Sequence, residues 1–258
     1  MQDLASNCDE NLTACLSKEL ELILTTIQQD ISEQQKTQII CYLSLMLEQN
    51  KTLNLSGITD PAEVMRLHVL DSWSILPFIK KELESKSTAE RYSFIDVGTG
   101  AGFPGIPVKI ALPEIELYLM DALRKRLKFI EQAASAAEIE GVRTLHLRAE
   151  DAGKEVQYRE RFDFVTARAV ANLSVLLEYC LPLVKVGGVF CAMKAKVQDE
   201  LKEAKHVPAK LGAELAEVKE FILPGVEAQR TILIYRKLKP CPKKYPRSNA
   251  RIKKQPLT

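Results

Sequence analysis

Residues 96–105 read "DVGTGAGFPG", and the fold turns on how these ten residues are read. Two glycine patterns overlap in them. Gly98, Gly100 and Gly102 fall at alternate positions after Asp96, while Gly100, Gly102 and Gly105 satisfy G-x-G-x-x-G, the dinucleotide fingerprint. A short apolar run, "SFIDV" (93–97), precedes the glycines, and a helical stretch, "PGIPVKIAL" (104–112), follows them. Strand, glycine turn and helix together open a nucleotide-binding α/β sheet, whose ligand lies beyond the carboxyl ends of the strands.

Further downstream the alternation persists. Apolar runs "ELYLM", "RTLHL", "FDFVTA" and "GGVFCAMK" are separated by the helical stretches "DALRKRLKFIEQAASAAEI", "EDAGKEVQYRE" and "NLSVLLEYCLPLV". That spacing predicts right-handed crossovers and a parallel sheet covered on both faces. The last two runs, "KEFIL" and "RTILIYR", enclose Pro224 and Gly225 and predict an antiparallel hairpin at one edge. The expected fold is therefore α/β and Rossmann-like, with seven mostly parallel strands.

Upstream the pattern is helical. One amphipathic helix is expected from about Leu12 to Gln29. A second starts at Ser32, with Gln35 completing a capping box and Ile39, Leu43, Met46 and Leu47 on one face. A third starts with Asp60 as N-cap, Pro61 at the first helical position and Glu63 closing the box. Polar "ELESKSTAER" (82–91) marks a boundary. Three segments follow: a helical extension and cap over 1–85, a cofactor-binding domain over 86–237, and a basic tail over 238–258.

Three features choose the ligand. The strand ends at Val97, so Gly98 makes the tight turn, and the dinucleotide pattern counted from there meets Phe103 where it needs glycine. Pro104, at the start of the helix, has no N–H to offer a phosphate. Asp96 repels a pyrophosphate but suits an ammonium or sulfonium charge. All three fit S-adenosylmethionine, with Gly98, Gly100 and Gly102 letting the backbone approach it. Asp121, ending the second strand, is placed to accept the ribose hydroxyl protons, or to cap the helix after it. In "RAED" (148–151), Glu150 is placed at the adenine edge, or is a first-turn acid favoured by the helix dipole.

The loop after the fourth strand, "TARAVANLS" (166–174), should face the methyl acceptor. It has no Asn-Pro-Pro-Tyr, no cysteine nucleophile and no evident general base. It offers Arg168, a side chain that pairs with phosphate and guanine edges, the alternative being a salt bridge at the sheet edge. The acceptor expected is a nucleophile with a lone pair and no proton to lose, such as a guanine ring nitrogen. His68 and Asp71 lie one helical turn apart on one face, either lining the mouth of the cofactor pocket from the helical cap or forming a structural pair that fixes the cap against the sheet.

Bulk properties narrow the partners. The chain has 258 residues and a net charge of +2, but nine Lys or Arg and no acid lie between residues 236 and 258. A basic tail on a near-neutral body suggests a polyanion, the alternative being a solvated tail that aids solubility. Lys243, Lys244, Arg247, Lys253 and Lys254 are the expected phosphate contacts there, separate from the glycine loop, with Lys194 and Arg168 nearer the acceptor. No run of about 18 apolar residues suggests a membrane span, and "MQDLASNCDE" has no apolar signal core, so a cytoplasmic monomer is expected. The six cysteines form no C-x-x-C pair and the three histidines are scattered, so no metal is expected.

The stretches "NKTLNLSGI" (50–58), "RLHVLDS" (66–72), "FIDVGTGAGFPGIPVKI" (94–110), "MDALRKRLKFI" (120–130), "RAED", "FDFVTARAVANL" (162–173), "AMKA" (192–195) and "KYPRSNARIKKQPL" (244–257) together resemble the family of ribosomal RNA small subunit methyltransferase G, also called glucose-inhibited division protein B. The resemblance runs from about residue 50 to the end. It implies a class I methyltransferase that forms 7-methylguanosine in 16S ribosomal RNA, free or in the small-subunit particle, and releases S-adenosylhomocysteine. It also implies that Gly98, Phe103, Ala149, Glu150 and Arg168 touch the cofactor. Arg168, Lys194 and His68 are then positioning candidates without a general base. A small-molecule methyltransferase on the same fold is the alternative, one that leaves the basic tail and Arg168 without a role.

Overall fold

The computed structural model describes residues 10–85, 91–227 and 229–258. The N-terminal helices start where their caps predict, the box closing reciprocally at Ser32 but at Asp60 only through the Glu63 N–H. Helix α1 (Glu10–Ile27) is followed by α2 (Glu33–Leu53), which opens with a reciprocal cap. Gln35 N–H donates to Ser32 Oγ at 3.2 Å, and Ser32 N–H donates to Gln35 Oε1 at 2.7 Å. Ile39, Leu43 and Met46 are buried, with Leu47 half-buried beside them. Asp60 caps α3 (Pro61–Val64) by accepting the Glu63 N–H at 2.9 Å. The helical path continues through a π-helical stretch, Met65–Leu70, into α4 (Asp71–Trp73), and α5 (Leu76–Ser85) follows. Part of the expected boundary, residues 86–90, lies outside the described residues.

Strands β1 (Ser93–Val97), β2 (Glu116–Met120), β3 (Val142–Leu145), β4 (Phe162–Arg168), β5 (Val184–Lys194), β6 (Ala213–Ile222) and β7 (Gln229–Lys237) form one seven-stranded sheet. Their order is β3-β2-β1-β4-β5-β7-β6. β1 to β5 pair in parallel, and β7 runs antiparallel to both its neighbours, β5 and β6. This is the Rossmann-like sheet expected, with the edge hairpin in place. The strand order reverses between β1 and β4, so a crevice opens there beyond their carboxyl ends.

Helices α6 (Gly105–Ala111), α7 (Arg124–Ala136), the one-turn α8 (Ala149–Ala152) and α9 (Leu173–Cys180) lie in the crossovers. Two short helices, α10 (Gln198–Glu203) and α11 (Val207–Lys210), separate β5 from β6, and a third, α12 (Asn249–Lys254), lies in the tail. One face of the sheet shares a core with the N-terminal helices, where Leu16, Tyr42 and Trp73 join Phe94 and Leu117. The other face shares a core with the tail, where Cys241, Tyr245 and Ile252 join Leu176 and Phe190. Both terminal segments are thus fastened to the sheet by buried apolar surface.

Candidate functional site

The glycine turn starts one residue after β1. Gly98 takes φ +71°, and a Cβ there would meet Val170 Cγ2 at 2.8 Å. Gly100 takes φ +61° with open space where a Cβ would stand, so its surface is free for a ligand. Its N–H donates to Asp121 Oδ2 at 3.0 Å, and Leu123 N–H donates to Asp121 Oδ1 at 2.8 Å. Asp121 therefore bridges the first and second strand ends. Asp96 lies buried beneath the loop, its Oδ2 accepting from Thr99 Oγ1 at 2.7 Å and Gly105 N–H at 3.1 Å. Its other oxygen, Oδ1, is buried without a hydrogen-bond partner. Burial pushes the Asp96 carboxyl up to about 6, against the pull of the Thr99 and Gly105 hydrogen bonds and the Arg168 charge.

The N-terminal helices brace this loop from behind. Tyr42 of α2 donates its hydroxyl to Ala101 O at 2.9 Å. The Phe103 ring is buried, stacked on His68 with centroids 4.5 Å apart, and lies edge-on to Tyr42 at 6.3 Å. Trp73 Nε1 donates to Pro107 O at 2.9 Å, fixing α4 against α6.

Two cavities lie at this end of the sheet. The smaller, about 200 Å³, is lined by Gly98, Asp121, Ala149, Glu150, Val170 and Ala171 among others. The larger, about 450 Å³, is lined by His68, Asp71, Arg168, Ala169, Lys194, Phe221 and Arg230 among others. Residues 168–171 are their common wall. Ala169 holds φ +57°, uncommon for alanine, at the turn where the chain passes from one cavity to the other.

Arg168 is the hub of the larger cavity, which His68 and Asp71 also line. His68 and Asp71 meet through Arg168, which reaches both: it donates to Asp71 Oδ2 at 2.8 Å, to Leu67 O at 2.8 Å and to His68 Nδ1 at 3.1 Å. The salt bridge held open as the structural reading of Arg168 is present. The π-helical stretch carries both Leu67 and His68. Asp71 Oδ1 takes a second arginine, Arg230 Nε, at 2.9 Å. Arginine only donates, so His68 Nδ1 is an acceptor and its proton sits on Nε2, 2.8 Å from Ser56 Oγ. Burial, and then the Arg168 charge, hold the His68 imidazole down at about 4. With both ring nitrogens engaged, it has no lone pair to offer as a base.

The remaining expected residues divide. Lys194 is no free cation: it pairs with Glu200 at 2.7 Å and donates to Ala171 O at 2.9 Å, clamping the shared wall to α10. Arg247 is not free for phosphate either. It forms a two-pronged pair with the fully buried Glu178, Nε to Oε1 at 2.9 Å and Nη2 to Oε2 at 2.6 Å. Lys243, Lys244, Lys253 and Lys254 are exposed. Lys253 and Asn249 line the smaller cavity, so the tail is not separate from the glycine loop as expected. Arg230, Ser56, Tyr42 and Asn249 were missed by the sequence reading.

These residues fit a cationic nucleoside. The unpartnered Asp96 oxygen lacks a counter-group, Gly100 leaves room above its backbone, and Asp121 and Glu150 line a cavity beside them. Among the described residues, no group of three or more His, Cys, Asp or Glu is placed to hold a metal ion, and no helix is long and apolar enough to cross a membrane.

The family model for rRNA small subunit methyltransferase G matches residues 16–232. The ribosomal RNA small subunit methyltransferase G of Lactobacillus johnsonii is 45% identical over 229 residues, covering 88% of this chain and 94% of that protein. The protein of the same name from Acetivibrio thermocellus is 41% identical over 229 residues, covering 89% and 91%. Among solved structures, TrmN from Thermus thermophilus is 21% identical at a TM-score of 0.48, covering 65% of this chain and 48% of that one. The chain belongs to the rRNA small subunit methyltransferase G family.

Proposed function

We propose that this chain transfers the methyl group of S-adenosylmethionine to N7 of a guanine in 16S ribosomal RNA, without a side-chain base. The observation that carries the reading is the pair of cavities divided by residues 168–171, one bordered by the glycine turn and the other by arginines and an exposed sheet edge. When bound, S-adenosylmethionine supplies an electrophilic methyl group on a sulfonium centre. The residues of this chain supply its setting. Gly98 and Gly100 admit the main chain to close range. Gly102, between Ala101 and Phe103, completes the turn. Asp121 accepts ribose hydroxyls, Ala149 and Glu150 border the adenine, and Asp96 balances the cationic end. Phe103, fixed by His68 and Tyr42, holds the turn in place.

The larger cavity receives the base. At about 450 Å³ it falls within the size of small-molecule sites, and Phe221 at its rim offers a stacking face. A guanine N7 carries a lone pair and no proton, so the site needs orientation more than proton transfer. The arginine pair on Asp71 shapes this cavity, and two of the five Arg168 N–H groups lie outside its contacts with the cap. The exposed tail lysines Lys243, Lys244 and Lys254 then meet flanking phosphates.

The test is incubation with labelled S-adenosylmethionine and ribosomal RNA, naked and in small-subunit particles, followed by digestion to nucleosides. Label in 7-methylguanosine is the expected result. Label in any other nucleoside, or none in RNA, refutes the acceptor assignment.

A further inference from the structure

The basic tail was expected to end as an RNA grip, yet its last helix reaches a different place. Behind it the chain is fastened at several points. Arg159 donates to the carbonyls of Gly153, Cys241 and Tyr245 at 2.7, 2.7 and 2.8 Å. Cys241 N–H donates to Glu160 at 2.6 Å, and Arg247 pairs with buried Glu178. Ile252 is fully buried in the core beneath α9. A strap so held has one place to put α12, and that place is the rim of the smaller cavity, lined by Asn249 and Lys253 together with Asp121, Ala149 and Glu150.

Asn249 is oriented there. The buried Tyr179 of α9, itself lining the cavity, donates its hydroxyl to Asn249 Oδ1 at 2.8 Å. With the oxygen engaged, the carboxamide keeps its two N–H donors for another partner. We propose that Asn249, held by Tyr179, is a specificity residue of the cofactor site that donates a hydrogen bond to the adenine ring nitrogens. Lys253, exposed, lines the same cavity. The adenine end of the cleft is thus completed by residues 249–253, about a hundred residues beyond Ala149 and Glu150 in sequence. This inference rests on the S-adenosylmethionine reading above.

Calorimetry with the full chain separates the two. S-adenosylhomocysteine is the probe, because it cannot turn over, and adenosine is the second probe, because it lacks the amino-acid end. Asn249→Ala should weaken both by the same factor, about three- to tenfold, the worth of one neutral hydrogen bond. Asn249→Asp, which keeps the size but replaces donors by acceptors, should weaken both at least as much. Tyr179→Phe keeps the ring and frees the carboxamide, and should give a smaller loss in the same direction. Circular dichroism and Tm show whether each variant is folded, and Asn249, half-exposed, can change without opening the core. Wild-type chain that binds neither probe overturns the cofactor reading itself. Wild-type binding that Asn249→Ala and Asn249→Asp leave unchanged overturns this inference alone, as does a loss seen with S-adenosylhomocysteine but not with adenosine.

Discussion

The proposed role of Asp96 as counter-charge predicts that cofactor binding depends on pH with a definite direction and window. Its carboxyl is fully buried, with one oxygen spent on Thr99 and Gly105 and the other unpartnered. Burial raises its folded pKa from 3.8 to about 6. The ionised form is the one a cationic ligand selects, and it is lost as pH falls through 6. At pH 7.5 nearly all Asp96 is ionised; at pH 5 about one part in eleven is, so affinity for S-adenosylhomocysteine should fall about tenfold between them. The fold itself shows the opposite sign. A carboxyl with a raised pKa costs stability above it, on the order of 3 kcal/mol for a shift of about two units, and a bound cation offsets that cost. Calorimetry at half-unit steps from pH 5 to 7.5 measures the slope. Asp121, Glu150, Arg168, Tyr42 and Cys180 also surround this region, so Asp96→Asn assigns the slope: the variant should bind about 10- to 100-fold more weakly at pH 7.5 and with little pH dependence. A flat wild-type profile, or a slope that survives in Asp96→Asn, would refute the placement of this carboxylate as counter-charge.

Four further outcomes follow from the site. His68 has both ring nitrogens engaged, so the single-turnover rate should stay nearly flat from about pH 6.5 to 9, and His68→Ala should lower it without creating a new slope. Because its folded pKa lies near 4, below the usual 6.5, the neutral ring stabilises the fold fully above pH 6.5. That contribution, on the order of 3 kcal/mol, disappears as pH falls to 4, which acid unfolding of wild type and His68→Ala will compare. Arg247→Ala strands the buried Glu178 and should cost about 3–5 kcal/mol in urea unfolding, whereas a purely RNA-binding arginine would cost almost nothing. Changing Lys243, Lys244 and Lys254 together to Gln should flatten log K for RNA against log salt by up to about 2, with an unchanged slope reducing these lysines to solubility.

Much of the fold was legible because strands and turns leave local marks. "SFIDV" and "ELYLM" become β1 and β2 residue for residue, since each is a mostly apolar, mostly buried run stopped by a turn signal. Ser32 and Asp60 announce their helices because capping is a three-residue affair. The polar wiring of the site was not legible, because it joins residues far apart: Arg168 reaches Asp71 across 97 positions, and Arg230 reaches it across 159. Helix α12 escaped notice because "NARIKK" has only Ala250 and Ile252 as apolar residues and so no period. A signal for the tail anchor was available. Glu178 stands inside the apolar helix "LSVLLEYC", and a carboxylate in such a run needs a buried cation, which Arg247 supplies.

The N-terminal helices belong to the site as much as the sheet does. The in-line methyl transfer proposed above depends on holding donor and acceptor in register, so the glycine turn has to be rigid. A turn with glycines at 98, 100, 102 and 105 is the least rigid backbone a chain can offer. Here it is fixed from outside, by the Tyr42 hydroxyl on Ala101 O, by His68 stacked on Phe103, and by Trp73 on Pro107 O. Arg168 ties the same helices to the end of β4 and lies over the Phe103 ring, with its guanidinium carbon 5.8 Å from the centroid. Lysine could not replace it, since three acceptors spread over Leu67, His68 and Asp71 call for a planar fork rather than a point charge. The freedom that lets the glycines approach a ligand is thus removed by side chains of the cap, and Arg168 joins that cap to the wall dividing the two cavities.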